Sequence, residues 1–364
     1  MPSTNRSFQP TAWRIMVLLA NAMLIPALIG CGAVNSALRP TATPTATASA
    51  TPTPTLTPSP TPTLTPTPTE VPILCGGTPA MFILLVGSDA RRDTYDIGLA
   101  DSIRIVRLDF IEPRIQVITF PRDLYVEIPG IEDHNGVTHG KINQAFLYGN
   151  PGYNYYDGPA QGPGLLADTL EHNFGAEVDH FVAVNIQTFV RMVDALGGID
   201  IDMPFVVDGR VRGSRDGNRY FPAGKQHLDG YRTMLLARMR PSGDFTRIEV
   251  QNLILQAFAE KLLSPPAILV LPELIKTFSE SVQTDLGPVE IGQLLCLRTR
   301  LGAQNVEFGY FPENLFENGR VQDPVLGNTS ILEVDFNALK TFVQSFNKGN
   351  WPNSLEDSRD TIRP

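Results

Sequence analysis

The chain has 364 residues and a formal net charge of −9. That balance excludes electrostatic binding of nucleic acid by the molecule as a whole, so any anionic ligand must meet a local cluster of basic side chains. The N-terminal fifth is not globular in composition, which leaves roughly 280 residues, enough for one large domain with a core of its own.

Arg6 and Arg14 precede an apolar stretch from Ile15 to Ile29 that suits the core of an export signal better than a bilayer span of about 20 residues. It closes on Leu28-Ile29-Gly30-Cys31, which resembles the lipobox of bacterial lipoproteins. Two readings stay open: a cleaved signal over 1–31 with a lipidated Cys31, or an uncleaved anchor from Trp13 to Gly32. Both place the remaining chain on the outer face of the cytoplasmic membrane. Residues 32–76 read as a stalk, since from Arg39 to Pro72 there is little but Thr, Pro, Ala and Ser, a composition that builds no core and favours polyproline II. Cys75 and Cys296 are then an even pair in an oxidising compartment, either disulfide-bonded or two buried thiols.

Residues 77–350 read as the folded domain, with a flexible tail over 351–364. Phe82-Ile83-Leu84-Leu85-Val86, ending at Gly87, predicts a strand covered on both faces. Ser102 to Phe110 and Arg114 to Phe120 are further strands joined by a Glu112-Pro113 turn. A helix over Gly164 to Asn173, a strand over His180 to Val184, and a helix over Gln187 to Leu196 stopped by Gly197-Gly198 come next. Gly198 to Met203 alternates as a strand, Asp229 caps a helix to about Met239, and Asp244 caps another to about Leu263. Helices over Ala267 to Ser281, kinked or delayed by Pro272, and over Val289 to Leu301 follow. Strands mixed with helices predict an α/β fold: a central mixed sheet between helical layers. Beyond Gly309 no chemistry is legible, and Ile331, Leu332 and Phe336 read as packing positions.

No phosphate loop, nucleophile elbow or zinc helix is present, and Gly162-Pro163-Gly164 lacks the rest of a dinucleotide fingerprint. His134 and His139, the closest histidine pair, lack metal-ligand spacing. Acids and arginines are more informative. Asp89-Ala90-Arg91 follows the first strand, Asp101 opens the second, and Pro121-Arg122-Asp123 ends the third. Neighbouring strands would bring these to one sheet edge, where such folds bind ligands. The helical half offers Arg238, Arg240, Arg247 and, one turn on, Gln251. Taken singly, each is an ion pair or a solvated face; taken together, planar fixed cations in an acidic protein point to a phosphate-rich ligand.

These residues, in this order, resemble the LytR-CpsA-Psr family of envelope phosphotransferases from Phe82 to Leu301. The blocks are Leu85 to Arg91, Asp101-Ser102, Phe120 to Gly130, Gly140 to Asn143, Val193 to Gly198, Gly224 to Gly230, and Arg238-Met239-Arg240 with Gly243 to Arg247 and Gln251. The resemblance implies transfer of a glycosyl phosphate from a polyprenyl-pyrophosphate carrier to a cell-wall hydroxyl, typically of peptidoglycan. It also implies Mg²⁺ held by Asp89 and Asp101, and a pyrophosphate gripped by Arg122, Arg238, Arg240 and Arg247. Gln251 would line that site, Arg91 and Asp123 would support it, and an apolar channel would take the lipid. Leu99 and Val250 stand where the family commonly has arginine, which puts pyrophosphate affinity in question. A hydrolase using water as acceptor and a non-catalytic lipid-pyrophosphate-binding regulator are the competing readings.

Overall fold

The first strand, β1 (Ala80–Ser88), is apolar on both faces because it lies inside a six-stranded sheet covered on both sides. The computed structural model describes residues 72–352 except 92–93, 135, 212–213, 241–242, 270–275 and 277–280. The expected signal or anchor, Cys31, the stalk as far as residue 71 and the tail beyond 352 lie outside the described residues. Among the described residues, no helix is long and apolar enough to cross a membrane.

β2 (Ala100–Asp109) and β3 (Arg114–Phe120) follow β1 as antiparallel neighbours. Their turn is closed by Asp109, whose Oδ1 accepts from the backbone N–H groups of Ile111 and Glu112 at 2.9 Å each. The short strands β4 (Tyr125–Glu127) and β5 (His139–Lys141) pair before α1 (Ile142–Gly149) and α2 (Gln161–Phe174). β6 (His180–Asn185) lies parallel to β1, and Asn185 caps α3 (Ile186–Ala195) by accepting from Thr188 N at 2.8 Å. Gly197 and Gly198, at φ +75° and +86°, then turn the chain where a side chain would be strained.

β7 (Ile199–Met203) buries every second residue. β8 (Val207–Asp208) pairs with β9 (Tyr220–Phe221), and β10 (Gly224–Leu228) pairs with β7. Asp229 caps α4 (Gly230–Ala237), accepting from Arg232 N at 2.7 Å, and α5 (Asp244–Leu263) ends where predicted but has Gly243, not Asp244, at its cap. β11 (Gln283–Thr284), α6 (Pro288–Arg298) and β12 (Val306–Gly309) follow. A hairpin of β13 (Phe316–Asp323) and β14 (Gly327–Val334) precedes the last helix, α7 (Phe336–Asn347).

The sheet order is β11-β6-β1-β2-β3-β12, with β1–β6 and β3–β12 parallel and the other pairs antiparallel. One face, built from Phe82, Leu84, Ile103, Ile105, Ile118 and Phe120, packs on α1, α2 and α7. The opposite face packs on α6 through Leu297 and on α5 through Leu255 and Leu263. This is the α-β-α layering expected of the sequence, with a further core built from α3, α4, α5, β7 and β10. Cys75 and Cys296 are joined by a disulfide, Cα atoms 5.7 Å apart, which ties the segment before β1 to α6.

Two expectations need correction. The helix expected from Ala267 opens instead as a 3₁₀ segment, Pro265–Leu269, and most of its remainder lies outside the described residues. Consecutive prolines at 265 and 266 remove the N–H groups a continued α-helix would use. The helix expected at Val289 to Leu301 starts one residue earlier on Pro288 and ends at Arg298. The segment after Gly309 packs against the domain as expected: it forms α7 and buries Ile331 and Leu332, and Phe336 stacks on Phe174 at 5.5 Å.

Candidate functional site

Asp101 owes its position to an irregularity of the sheet. Gly87 faces Ser102 and Ser88 faces Ala100, so Asp101 is the extra residue of a bulge between β1 and β2. Bulges re-aim side chains at the ends of strands. Asp89, just past β1, is held from the facing loop: Leu99 N donates to its Oδ1 at 2.7 Å, and Asp89 N donates to Leu99 O at 3.2 Å. That loop is pinned in turn by Tyr95, buried and at φ +54°, whose hydroxyl accepts from Asn185 N at 2.8 Å and donates to Ala183 O at 2.9 Å. Leu99 thus positions Asp89 through its backbone N–H and carbonyl.

Both carboxylates open into a cavity of about 390 Å³ between the ends of β1, β2 and β6 and helices α3, α4 and α5. Arg238, Arg240, Arg247 and Gln251 line the same cavity. Arg238 follows α4 and is exposed, as is Arg240, whereas Arg247, a turn into α5, is 5% exposed. Gln251 bridges two walls: its Oε1 accepts from Arg104 Nη2 at 3.2 Å and its Nε2 donates to Ala237 O at 3.0 Å. The rest of the lining is largely apolar, with Phe189, Met192, Met234, Ile254 and Phe258 among it. One chamber thus has a charged end and an oily end.

Arg122, expected to grip the pyrophosphate, is not part of the lining; its Nη1 donates instead to Oδ1 of Asp101, which is. Behind it, Asp123 takes Lys141 Nζ at 2.7 Å and stands 3.4 Å from Arg122 Nε, so an alternating row of charges runs from Lys141 to Asp101. Asp123 is a support for Arg122 and does not line the cavity. Two further sequence expectations separate from the site. Arg91, beyond the buried Ala90, is exposed and is not part of the lining. Val250 is fully buried among Val193, Ile199, Leu236 and Ile254 in the α3–α5 core and is not part of the lining.

Sequence reasoning missed Arg104, which lines the cavity at 2% exposure. The available signal was an arginine set between Ile103 and Ile105 inside a strand. Burial first, then repulsion from Arg247, pushes its pKa down to about 10.

The donor set suits a hard divalent cation. Each carboxylate has one oxygen engaged, Asp89 by Leu99 N and Asp101 by Arg122, and the second oxygen of each makes no hydrogen bond to a described residue. Among the described residues no group of three or more His, Cys, Asp or Glu forms a cage, so a cation here would complete its shell with ligand oxygens and water, as Mg²⁺ commonly does.

The LytR_cpsA_psr family model matches residues 47–347. The chain belongs to this family. Among curated LytR_cpsA_psr relatives, TagV of Bacillus subtilis, a polyisoprenyl-teichoic acid–peptidoglycan teichoic acid transferase, is 29% identical over 207 residues, 56% of this chain and 49% of that protein. TagU of Halalkalibacterium halodurans, given the same activity, is 30% identical over 207 residues, 56% of this chain and 60% of that protein. The matches thus span about half to three-fifths of those relatives' length. The crystal structure of B. subtilis TagV superimposes with a TM-score of 0.58 at 24% identity, covering 74% of this chain and 97% of that one, which establishes a shared fold.

Proposed function

We propose that this chain is an extracytoplasmic, Mg²⁺-dependent transferase. It moves the glycopolymer phosphate of a polyprenyl-pyrophosphate carrier to a peptidoglycan hydroxyl. The observation that carries this reading is the single chamber in which Asp89, Asp101 and four arginines, Arg104, Arg238, Arg240 and Arg247, face an apolar wall. A ligand with a doubly phosphorylated head and a hydrocarbon tail matches both ends. The activity in the names of the TagV and TagU relatives supports the same substrate class. The N-terminal signal or anchor supports the placement at the membrane.

In the reaction the acceptor hydroxyl oxygen forms a bond to the sugar-bearing phosphorus. The bond from that phosphorus to the bridging oxygen breaks, polyprenyl phosphate leaves with the bridging oxygen, and the hydroxyl proton goes to water. Arg238, Arg240 and Arg247 balance the charge on the phosphoryl oxygens, and the apolar wall fixes the tail so that the pyrophosphate meets them in one orientation. Arg122 holds Asp101 in place by donating to its Oδ1. Magnesium held by Asp89 and Asp101 would supply further neutralisation of the leaving phosphate.

The test is reconstitution of the full chain in detergent with a polyprenyl-pyrophosphate-linked glycan and peptidoglycan. Wild type should attach glycan covalently and release polyprenyl phosphate. Asp101→Ala should lose about 100-fold or more in turnover. Turnover that survives complete chelation would remove the magnesium step. Glycosyl phosphate released without attachment would favour a hydrolase, and tight binding with neither product would favour a regulator.

A further inference from the structure

Arg104 is the largest fully buried side chain among the described residues, and it sits in the wall of the cavity. All the acceptors it meets are neutral. Its Nη1 donates to Ser102 Oγ, its Nη2 to Gln251 Oε1 and Asn252 Oδ1 at 3.2 Å each, and its Nε to Asn252 Oδ1 at 3.4 Å. No carboxylate among the described residues forms an ion pair with it, and the charged side chain that acts on it is another buried cation, Arg247. A guanidinium taken out of water without a counter-ion is costly, and methionine or leucine would fill the space in a strand such as β2. Its presence calls for an anion that arrives from outside the chain.

The cavity leaves room for one. Gly87, opposite Ser102 on β1, lines the chamber, and a Cβ there would stand 2.9 Å from Ser102 Cβ. Ser102 Oγ already accepts from Arg104, so the serine's own proton is turned toward other acceptors. Ser102 and Arg104 alternate onto the same face of β2, beneath Arg247 and Gln251 of α5.

We propose that Arg104 and the Ser102 hydroxyl it orients bind one phosphoryl group of the ligand head. They form an inner tier below the outer one of Arg238 and Arg240, so that the chamber selects a pyrophosphate over a monophosphate. The inference rests on the lipid-pyrophosphate reading and extends it to selectivity. It also gives the product a reason to leave: polyprenyl phosphate, with one phosphoryl group, satisfies one tier and not both.

The experiment measures dissociation constants of the full chain in detergent for geranylgeranyl pyrophosphate, geranylgeranyl monophosphate and geranylgeraniol. Wild type should prefer the pyrophosphate to the monophosphate. Arg104→Met should weaken the pyrophosphate about tenfold or more, narrow its lead over the monophosphate, and leave the alcohol unchanged. Arg104→Gln, which keeps hydrogen-bonding capacity without charge, should show the same loss, and thermal midpoints report whether either variant is folded. Folded variants that keep the pyrophosphate preference, or that lose all three lipids equally, overturn the assignment of Arg104 alone. A wild-type chain that binds the three lipids alike overturns the lipid-pyrophosphate reading together with it.

Discussion

The carboxyl of Asp109 shows how a residue outside the site sets the acid limit of the fold. Burial pushes its pKa up, but the N–H groups of Glu112 and Ile111 and the Arg107 guanidinium outweigh burial and hold it below the ordinary carboxylate value. A folded-state value below the unfolded one means that the stabilisation is complete above about pH 3.9 and is lost as pH falls through the folded value. Asp109→Asn should therefore lower unfolding free energy at neutral pH by about 1–2 kcal/mol, with a gap from wild type that closes on acidification. Denaturant titrations from neutral to strongly acidic pH check this, and a gap that stays constant throughout would refute it. At the same scale, the legible site residues were those whose charge stood at the end of an apolar run, as with Asp89, Asp101 and Arg122. Arg104 was hidden because it lies within such a run, where a side chain's exposure depends on which helix covers that face. Arg91 misled for the opposite reason: a charge next to a strand end can turn to solvent as readily as inward.

Helix α5 explains why position 250 is not a site position. Its two sides serve different layers, with Val250, Ile254 and Ala257 in the α3–α5 core and Leu255, Ala259 and Leu263 against the sheet. Arg247 and Gln251, four residues apart, share the side that meets the cavity, whereas Val250 is buried in the α3–α5 core and is not part of the lining. Val250→Arg would bury an unpaired cation among Val193, Ile199 and Leu236. The expected result is a loss of about 3 kcal/mol or more in stability with no gain in pyrophosphate affinity, read by denaturation and by lipid binding. Tighter binding at unchanged stability would show that the position reaches the cavity after all. The bounds of α5 were legible because a 20-residue run carries its own periodic signal and an acidic start. The short strands β4, β5 and β11 were not, since two or three residues carry no period and depend on a partner far along the chain.

For the molecule as a whole, the functional reading turns on one chamber having two chemistries. The charged end is supplied by loops and helix starts, and the oily end by Phe189, Met192, Met234 and Phe258 from three helices that meet over the sheet. Sequence alone called for such a channel but gave no place for it, because its walls come from segments that only the tertiary fold brings together. If the oily end takes the isoprenoid tail, affinity across prenyl pyrophosphates of increasing length should rise by up to about fourfold per buried methylene and then level off once the chamber is full. Arg247→Ala should lower that whole curve by a similar factor at every length, because head and tail then contribute nearly independently. Calorimetric titration of the full chain with such a series reads both features. Affinity that ignores tail length would place the hydrocarbon elsewhere and leave the charged end to bind phosphate without a lipid. A tail-length dependence that vanishes in Arg247→Ala would mean that the arginine shapes the oily wall instead of gripping the head.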